Sequence, residues 1–181
     1  MVSTGRHHGF ESLEEARVLM ALDFAGDVVD VVSQPVKLAF ETSRGRRWHT
    51  PDYLAVSRGG VWLIDVRPER LIRSEDLESF AAAAEVALAC GWRYVVAGGW
   101  RDHVMASLDA ISSQRRPFSD TLGLEPELLA SIGAGTCFGQ VAAGSRCEPV
   151  ARALLLHLLW ERRAGVDLSH PLDDRSRVVL G

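Results

Sequence analysis

The chain has 181 residues, which is enough for one full domain or for a domain of about 110 residues followed by a smaller one. Hydrophobic residues make up 47% of it, and no apolar run approaches the roughly 20 residues that a membrane-spanning helix needs. The net charge of −4 argues against a protein that binds nucleic acid through overall positive charge. It does not exclude a nuclease, whose acidic metal ligands lie inside a local basic surface.

The N-terminus and the cysteines indicate the compartment. Residues 1–10 lack the apolar segment of a signal peptide. The three cysteines, Cys90, Cys137 and Cys147, are odd in number and form no CxxC pair. We therefore expect a cytoplasmic protein with reduced thiols and no membrane partner.

The first hundred residues predict the order α-β-β-β-β-α-β. Ser12 is a candidate N-cap with Glu15 three residues later, and Gly91 follows a long alanine-rich segment as a candidate helix end. This order is typical of an α/β domain in which helices pack on a mixed sheet. The predicted helices are 12–24 and 74–90, and the predicted strands are 28–32, 36–40, 48–56, 61–66 and 93–97, with 48–56 and 61–66 paired as a hairpin.

The second half of the chain has a different pattern. Helices are predicted at 102–113, 126–132 and 149–163, followed by two short strands at 165–168 and 177–180. Helices followed by a hairpin suggest a small, mostly helical, winged-helix-like region. The predicted domains are therefore 10–100 and 101–181.

Three acidic residues and one cation form the candidate catalytic set. Asp52 and Asp65 lie on the two arms of the predicted hairpin, and Glu15 lies on the preceding helix. Arg67 is two residues beyond Asp65, so both side chains project from one surface of the strand. Neighbouring carboxylates repel unless a cation joins them, and their hard oxygens suit Mg²⁺ or Mn²⁺. Glu15, Asp52 and Asp65 are accordingly the candidate metal ligands.

The motifs around these residues resemble the TnsA-type endonuclease subunit of heteromeric transposases, a member of the PD-(D/E)xK nuclease superfamily. The resemblance covers residues 10–100 and depends on the order of its motifs more than on any one of them. It implies a restriction-endonuclease-like mixed sheet flanked by helices. The motifs are Glu11-Ser12-Leu13-Glu14-Glu15, Asp27-Val28-Val29, Gln34-Pro35, Thr50-Pro51-Asp52-Tyr53, Ile64-Asp65-Val66-Arg67 and Gly91-Trp92-Arg93-Tyr94.

Arg67 departs from the family pattern, which usually has lysine at this position. An arginine can hold a phosphate oxygen, but it cannot accept a proton. Lys37, the only lysine of the chain, is a candidate substitute from a neighbouring strand. His49 is close to Asp52 in sequence, but strand alternation does not assign it to the site.

The resemblance implies a Mg²⁺- or Mn²⁺-dependent endodeoxyribonuclease that hydrolyses one strand at a transposon end. Its expected partners are double-stranded DNA, a DDE-type transposase subunit and an ATPase regulator. Arg44, Arg46 and Arg47 precede the Pro51-Asp52 motif and are the candidate DNA-binding residues.

Three alternatives remain open from the sequence. The chain could be a catalytically impaired DNA-binding or assembly subunit of the same complex, which the arginine at position 67 favours. It could instead be a PD-(D/E)xK nuclease of restriction or repair. Finally, the residues could have ordinary structural tasks: Glu15 as a helix cap, Asp52 at a strand entry, and Asp65 with Arg67 as a surface ion pair.

Overall fold

The computed structural model describes residues 1–117 and 119–181, which divide into two units, Met1–Gly99 and Trp100–Gly181. The first unit confirms the predicted α/β class. Its elements in chain order are α1 (Leu13–Ala25), β1 (Val28–Ser33), β2 (Leu38–Thr42), β3 (Gly45–His49), β4 (Tyr53–Ser57), β5 (Gly60–Val66), a short 3-10 turn (Glu69–Leu71), α2 (Ser74–Ala89) and β6 (Arg93–Ala97).

Helix α1 begins and ends where the sequence predicts. The Ser12 hydroxyl accepts a hydrogen bond from the Glu15 backbone N–H, which would otherwise lack a partner in the first turn. Gly26 ends the helix in a left-handed conformation with φ +69°, which a residue without a Cβ adopts at little cost.

A mixed four-stranded sheet in the order β1-β4-β5-β6 forms the centre of the first unit. Strands β1 and β5 each pair antiparallel with β4, whereas β6 runs parallel to β5 after the crossover through α2. The β4–β5 register places Tyr53 opposite Ile64 and Leu54 opposite Leu63. Because side chains alternate along a strand, these two pairs face opposite sides of the sheet.

Strands β2 and β3 form a separate two-stranded hairpin, and here the sequence prediction is wrong. It placed a turn at 43–47 and one continuous strand at 48–56. Trp48 and His49 instead end β3, and β4 begins only at Tyr53. Pro51 explains the break, because a proline has no N–H to donate to a strand ladder. Asp52 therefore lies in the connection between the two strands.

Helix α2 covers one face of the sheet and the inner side of this hairpin. Leu63 of β5 and Leu38 of β2 pack with Ala83 and Ala87 of α2, and all four are buried. The alanines allow the helix to approach the strands closely.

Residues 1–10 belong to the first unit. The buried carboxylate of Asp23 accepts hydrogen bonds from the backbone N–H groups of Val2 and Ser3, at 2.8 and 2.7 Å. The Tyr53 hydroxyl donates to the Gly9 carbonyl at 3.0 Å. These contacts hold the N-terminal segment beside α1 and β4.

The second unit is mostly helical, with a short antiparallel hairpin at its end. One backbone bridge connects Cys137 to Arg177, next to that hairpin. The elements are α3 (Asp102–Ser112), α4 (Glu125–Ser131), α5 (Phe138–Ala143), α6 (Glu148–Trp160), β7 (Ala164–Val166) and β8 (Val178–Leu180). Helix α5 falls in a segment that the sequence left without an assigned element.

Helix α6 is the core element of this unit. Its apolar residues surround most of the helix, so it needs cover on several sides. Helices α3, α4 and α5 and strand β7 supply that cover, and Leu154, Leu155 and Leu158 are buried. Within the residues that the structure describes, no helix is both long enough and apolar enough to cross a membrane.

Candidate active site

Asp65 is the most enclosed of the predicted site residues. It lies near the end of β5 with only 2% of its surface exposed. Its carboxylate accepts a hydrogen bond from the Tyr94 hydroxyl at 2.6 Å. The Nε2 atom of His49 lies 2.9 Å from Oδ1 and 3.1 Å from Oδ2 of the same carboxylate. A buried carboxylate without such partners would be strongly destabilising, so these two side chains let Asp65 occupy the site.

The position of Tyr94 follows from the sheet. Strands β5 and β6 run parallel, with Asp65 opposite Val96 and Leu63 opposite Tyr94, so Tyr94 and Asp65 face the same side. Burial and the hydrogen bond to Asp65 both raise the pKa of the Tyr94 hydroxyl. It therefore remains a proton donor to the carboxylate at physiological pH.

Asp52 lies beside Asp65 and is held by backbone groups on two sides. Its Oδ2 atom accepts the Val66 N–H at 2.6 Å, and its backbone carbonyl accepts the Gln34 N–H at 2.8 Å. Gln34 has a positive φ of +49°, so the chain changes direction directly after this hydrogen bond. The Gln34-Pro35 motif thus fixes the chain around the acid.

The pKa of Asp52 is raised from 3.8 to about 6. Burial is the largest cause, and the negative charges of Asp65 and Glu15 add to it. The Val66 N–H and His49 act in the opposite direction. The ionised form of Asp52 is therefore costly in the absence of a cation.

Glu15 combines a capping task with a position near the site. Its carboxylate accepts the Ser12 hydroxyl at 2.8 Å and the Glu11 N–H at 2.9 Å, so it closes the first turn of α1. It also accepts the Tyr53 hydroxyl at 3.4 Å. Burial raises the pKa of Tyr53 most, and the negative charge of Glu15 raises it further.

Arg67 follows β5 and is directed to the beginning of α2. Its Nε atom lies 3.3 Å from the Oδ2 atom of Asp76, which also accepts the Arg73 N–H. The distance is that of an ion pair, but the buried Nε lacks the geometry of a hydrogen bond. The two charges still attract each other, because charge attraction depends less on angle than a hydrogen bond does.

The three candidate DNA-binding arginines have different surroundings. Arg47 points to α2, where it bonds Glu78 at 2.8 Å and the Glu75 carbonyl at 3.2 Å. Arg46 is exposed on the other side of the hairpin, 3.9 Å from Glu41. Arg44 is exposed in the turn between β2 and β3.

The three acids influence one another electrostatically but do not form a closed metal-binding site. Asp52 is coupled electrostatically to Asp65 and to Glu15, but each carboxylate is held by hydrogen bonds of its own. Within residues 1–117 and 119–181, no group of three or more His, Cys, Asp or Glu side chains is arranged to hold a metal ion. A metal shared by all three acids would require Glu15 to turn away from Ser12.

His49, Tyr94 and Asp76 are site residues that the sequence analysis missed. His49 was placed on the same strand as Asp52, whereas it ends β3 and faces α2, with its ring against Phe80 at 6.4 Å. Tyr94 could not be assigned because the register of a parallel strand depends on the crossover helix. An acid in the first turn of a helix, such as Asp76, is common for capping alone.

Comparison with protein-family models finds no match for this chain, and comparison with curated protein sequences finds no significant relative.

Proposed function

We propose that this chain is the endonuclease subunit of a heteromeric transposase, a PD-(D/E)xK enzyme that hydrolyses one DNA strand at a transposon end. The observation that carries the proposal is the acid pair Asp52 and Asp65, in which burial and neighbouring carboxylates raise the pKa of Asp52 to about 6. A strongly perturbed carboxyl pKa is found more often at functional sites than in ordinary strand connections. The ordered motifs that resemble the TnsA-type subunits are the second support.

Carboxylate oxygens are the donors that a hard divalent cation prefers, although the described side chains do not converge on a metal position as they stand. Asp52 and Asp65 would hold Mg²⁺ or Mn²⁺ through carboxylate oxygens, and Glu15 would join them after releasing Ser12. A bound cation of this kind lowers the pKa of water and neutralises charge on a phosphate. His49 and Tyr94 fix the position of the Asp65 carboxylate.

Arg67 supplies the positive charge in this proposal. Its guanidinium would leave Asp76 for a phosphate oxygen of the scissile strand, since both partners are anionic and the ion pair is partly exposed. It cannot accept a proton, so its contribution would be electrostatic.

The test is strand nicking by the full chain together with its DDE-type transposase and ATPase. A plasmid that carries the transposon ends should be nicked in Mg²⁺ or Mn²⁺ and remain intact in EDTA. Asp52→Asn and Asp65→Asn should abolish nicking, whereas Asp109→Asn, an exposed acid on α3, should not change it. Equal nicking by wild type and Asp52→Asn would refute the proposal.

A catalytically impaired assembly subunit is the second candidate, because Arg67 replaces the usual lysine and is already paired with Asp76. Metal-dependent nicking of plasmid separates the two candidates. An impaired subunit would bind DNA and join the complex without cutting, whereas the nuclease would cut. A neighbouring gene for a DDE-type transposase would favour either of these over a nuclease of restriction or repair.

A further inference from the structure

The β2–β3 hairpin has two faces of different character. Leu38, Arg47 and His49 point to α2, where they contact its alanines, Glu78 and Phe80. The register pairs Ala39 with Trp48 and Glu41 with Arg46, so these residues lie on the opposite, outer face. That face is exposed to solvent.

Trp48 is the centre of the outer face. Trp48 is 55% exposed. Its burial would stabilise the fold more, because a tryptophan side chain is large and mostly apolar. The Nζ atom of Lys37 lies 5.1 Å from the ring centroid, and the guanidinium carbon of Arg46 lies 5.2 Å from it. We call Lys37, Arg46 and Trp48 the outer cluster.

The charge of this face is opposite to that of the whole chain. Lys37, Arg44 and Arg46 are exposed on or beside it, and Glu41 is the acid that opposes Arg46 at 3.9 Å. The chain as a whole carries −4. The face therefore suits a ligand with negative charge and a flat aromatic surface.

We propose that the outer cluster binds an unpaired nucleotide of the DNA substrate, with its base stacked on Trp48 and its flanking phosphates held by Lys37 and Arg46. This rests on the proposed function in taking DNA as the ligand. A base in a duplex hides its aromatic face in the stack, whereas an unpaired base offers it. The phosphates replace the indole ring as the partners of the two cations.

The position of the cluster relates it to the acid pair. Trp48 directly precedes His49, which bonds Asp65, and it lies four residues before Asp52. Trp48 and His49 point to opposite faces of the hairpin, so the cluster is adjacent to the candidate active site along the chain but lies on the other side of β3. The cluster would hold locally unpaired DNA on that outer face.

The test measures DNA binding by the full chain in EDTA, so that it does not depend on cleavage. The probes are a labelled oligo-dT, a fully paired duplex and the same duplex with a short unpaired flap. Trp48→Ala should weaken binding to oligo-dT and to the flap by about tenfold and leave the paired duplex nearly unchanged. Trp48→Phe should retain most of the affinity, because a phenyl ring also stacks.

Two controls separate the cluster from general effects. Leu88→Ala removes a more exposed apolar side chain from α2 and should change no affinity. Lys37→Ala combined with Arg46→Ala should flatten the salt dependence of oligo-dT binding. If Trp48→Ala does not fold, quenching of the wild-type indole fluorescence by oligo-dT, absent in Trp48→Phe, gives the same information.

Each outcome decides the inference. Unchanged binding of oligo-dT by Trp48→Ala would overturn it, because the tryptophan then serves only the hairpin. An equal loss on the paired duplex would also overturn it, in favour of groove insertion. DNA binding that depends on Trp48, without metal-dependent nicking, would uphold this inference and refute the proposed function. Metal-dependent nicking, with DNA binding that does not depend on Trp48, would uphold the proposed function and refute this inference.

Discussion

Asp52 gives the chain a predictable dependence of stability on pH. Its carboxyl has a pKa raised from 3.8 to about 6, so the folded protein binds this proton more tightly than the unfolded chain does. The resulting stabilisation is fully present below about pH 4 and is lost as the pH rises through about 6. At neutral pH the ionised Asp52 therefore destabilises the metal-free protein.

Asp52→Asn should raise the free energy of unfolding at pH 7 by about 1–2 kcal/mol, less than the full pKa shift implies because the carboxyl is partly exposed. The gain should disappear near pH 4, and urea denaturation at both pH values measures it. Mg²⁺ should stabilise the wild type and not this variant. Asp109→Asn is the matched control, and a gain that is independent of pH would contradict the assignment.

Arg67 is the second residue whose task can be measured. We expect Arg67→Ala to lower nicking by about a hundredfold, because a charge aimed at the phosphate stabilises the transition state. Arg67→Lys should retain or raise activity. The measurement is nicking in the presence of the transposase. Equal rates for all three proteins would leave Arg67 with only its ion pair to Asp76.

The sequence indicated these acids but not their surroundings. Asp52 and Asp65 could be selected because the sequence predicted them on paired strands, where carboxylates repel without a cation. Asp52 in fact lies just before β4, still beside Asp65. His49 could not be selected in the same way. The direction of its side chain depends on where β3 ends before Pro51, and the β-rich sequence continues past that point without a visible interruption. Glu15 could not be assigned to one role from the sequence. It caps α1 and also raises the pKa of Asp52, and the same local sequence is compatible with both roles.

At the scale of elements, the hairpin divides the arginine cluster that the sequence treated as one DNA-binding set. Strand alternation turns Arg47 inward to Glu78 and leaves Arg46 outside with Trp48. The alternation of side chains along a strand determines which arginine points inward. It can be used only when the position of β3 is known. The sequence instead placed 43–47 in a turn, where alternation has no meaning.

Single substitutions test this division. Arg47→Ala should lower the free energy of unfolding by about 0.5–1 kcal/mol, because its ion pair with Glu78 is only partly buried. It should leave the salt dependence of DNA binding unchanged. Arg46→Ala should reduce the slope of that dependence by about one and barely affect stability. Equal slopes for the two variants would show that the inward and outward arginines contact DNA alike.

At the scale of the molecule, the chain joins two units with different means of stabilisation. The first builds its core between a sheet and α2, with Leu63 and Ala83 at the centre. The second surrounds α6 with other helices, because apolar residues cover most of the circumference of α6. Helix α5 escaped prediction because it has six residues and lies between glycines, too short for a clear helical period.

The last prediction concerns what each unit does. Residues 1–99 contain the acids and the sheet with its covering helices, so we expect this fragment to fold and unfold cooperatively in a thermal melt. Under the proposed function, the second unit is expected to contact the transposase and the ATPase. The fragment should therefore fail to capture the cognate transposase and ATPase in a pull-down that the full chain passes. A folded fragment that captures both would refute the docking assignment, and a fragment that does not fold would show that the second unit is required for the first.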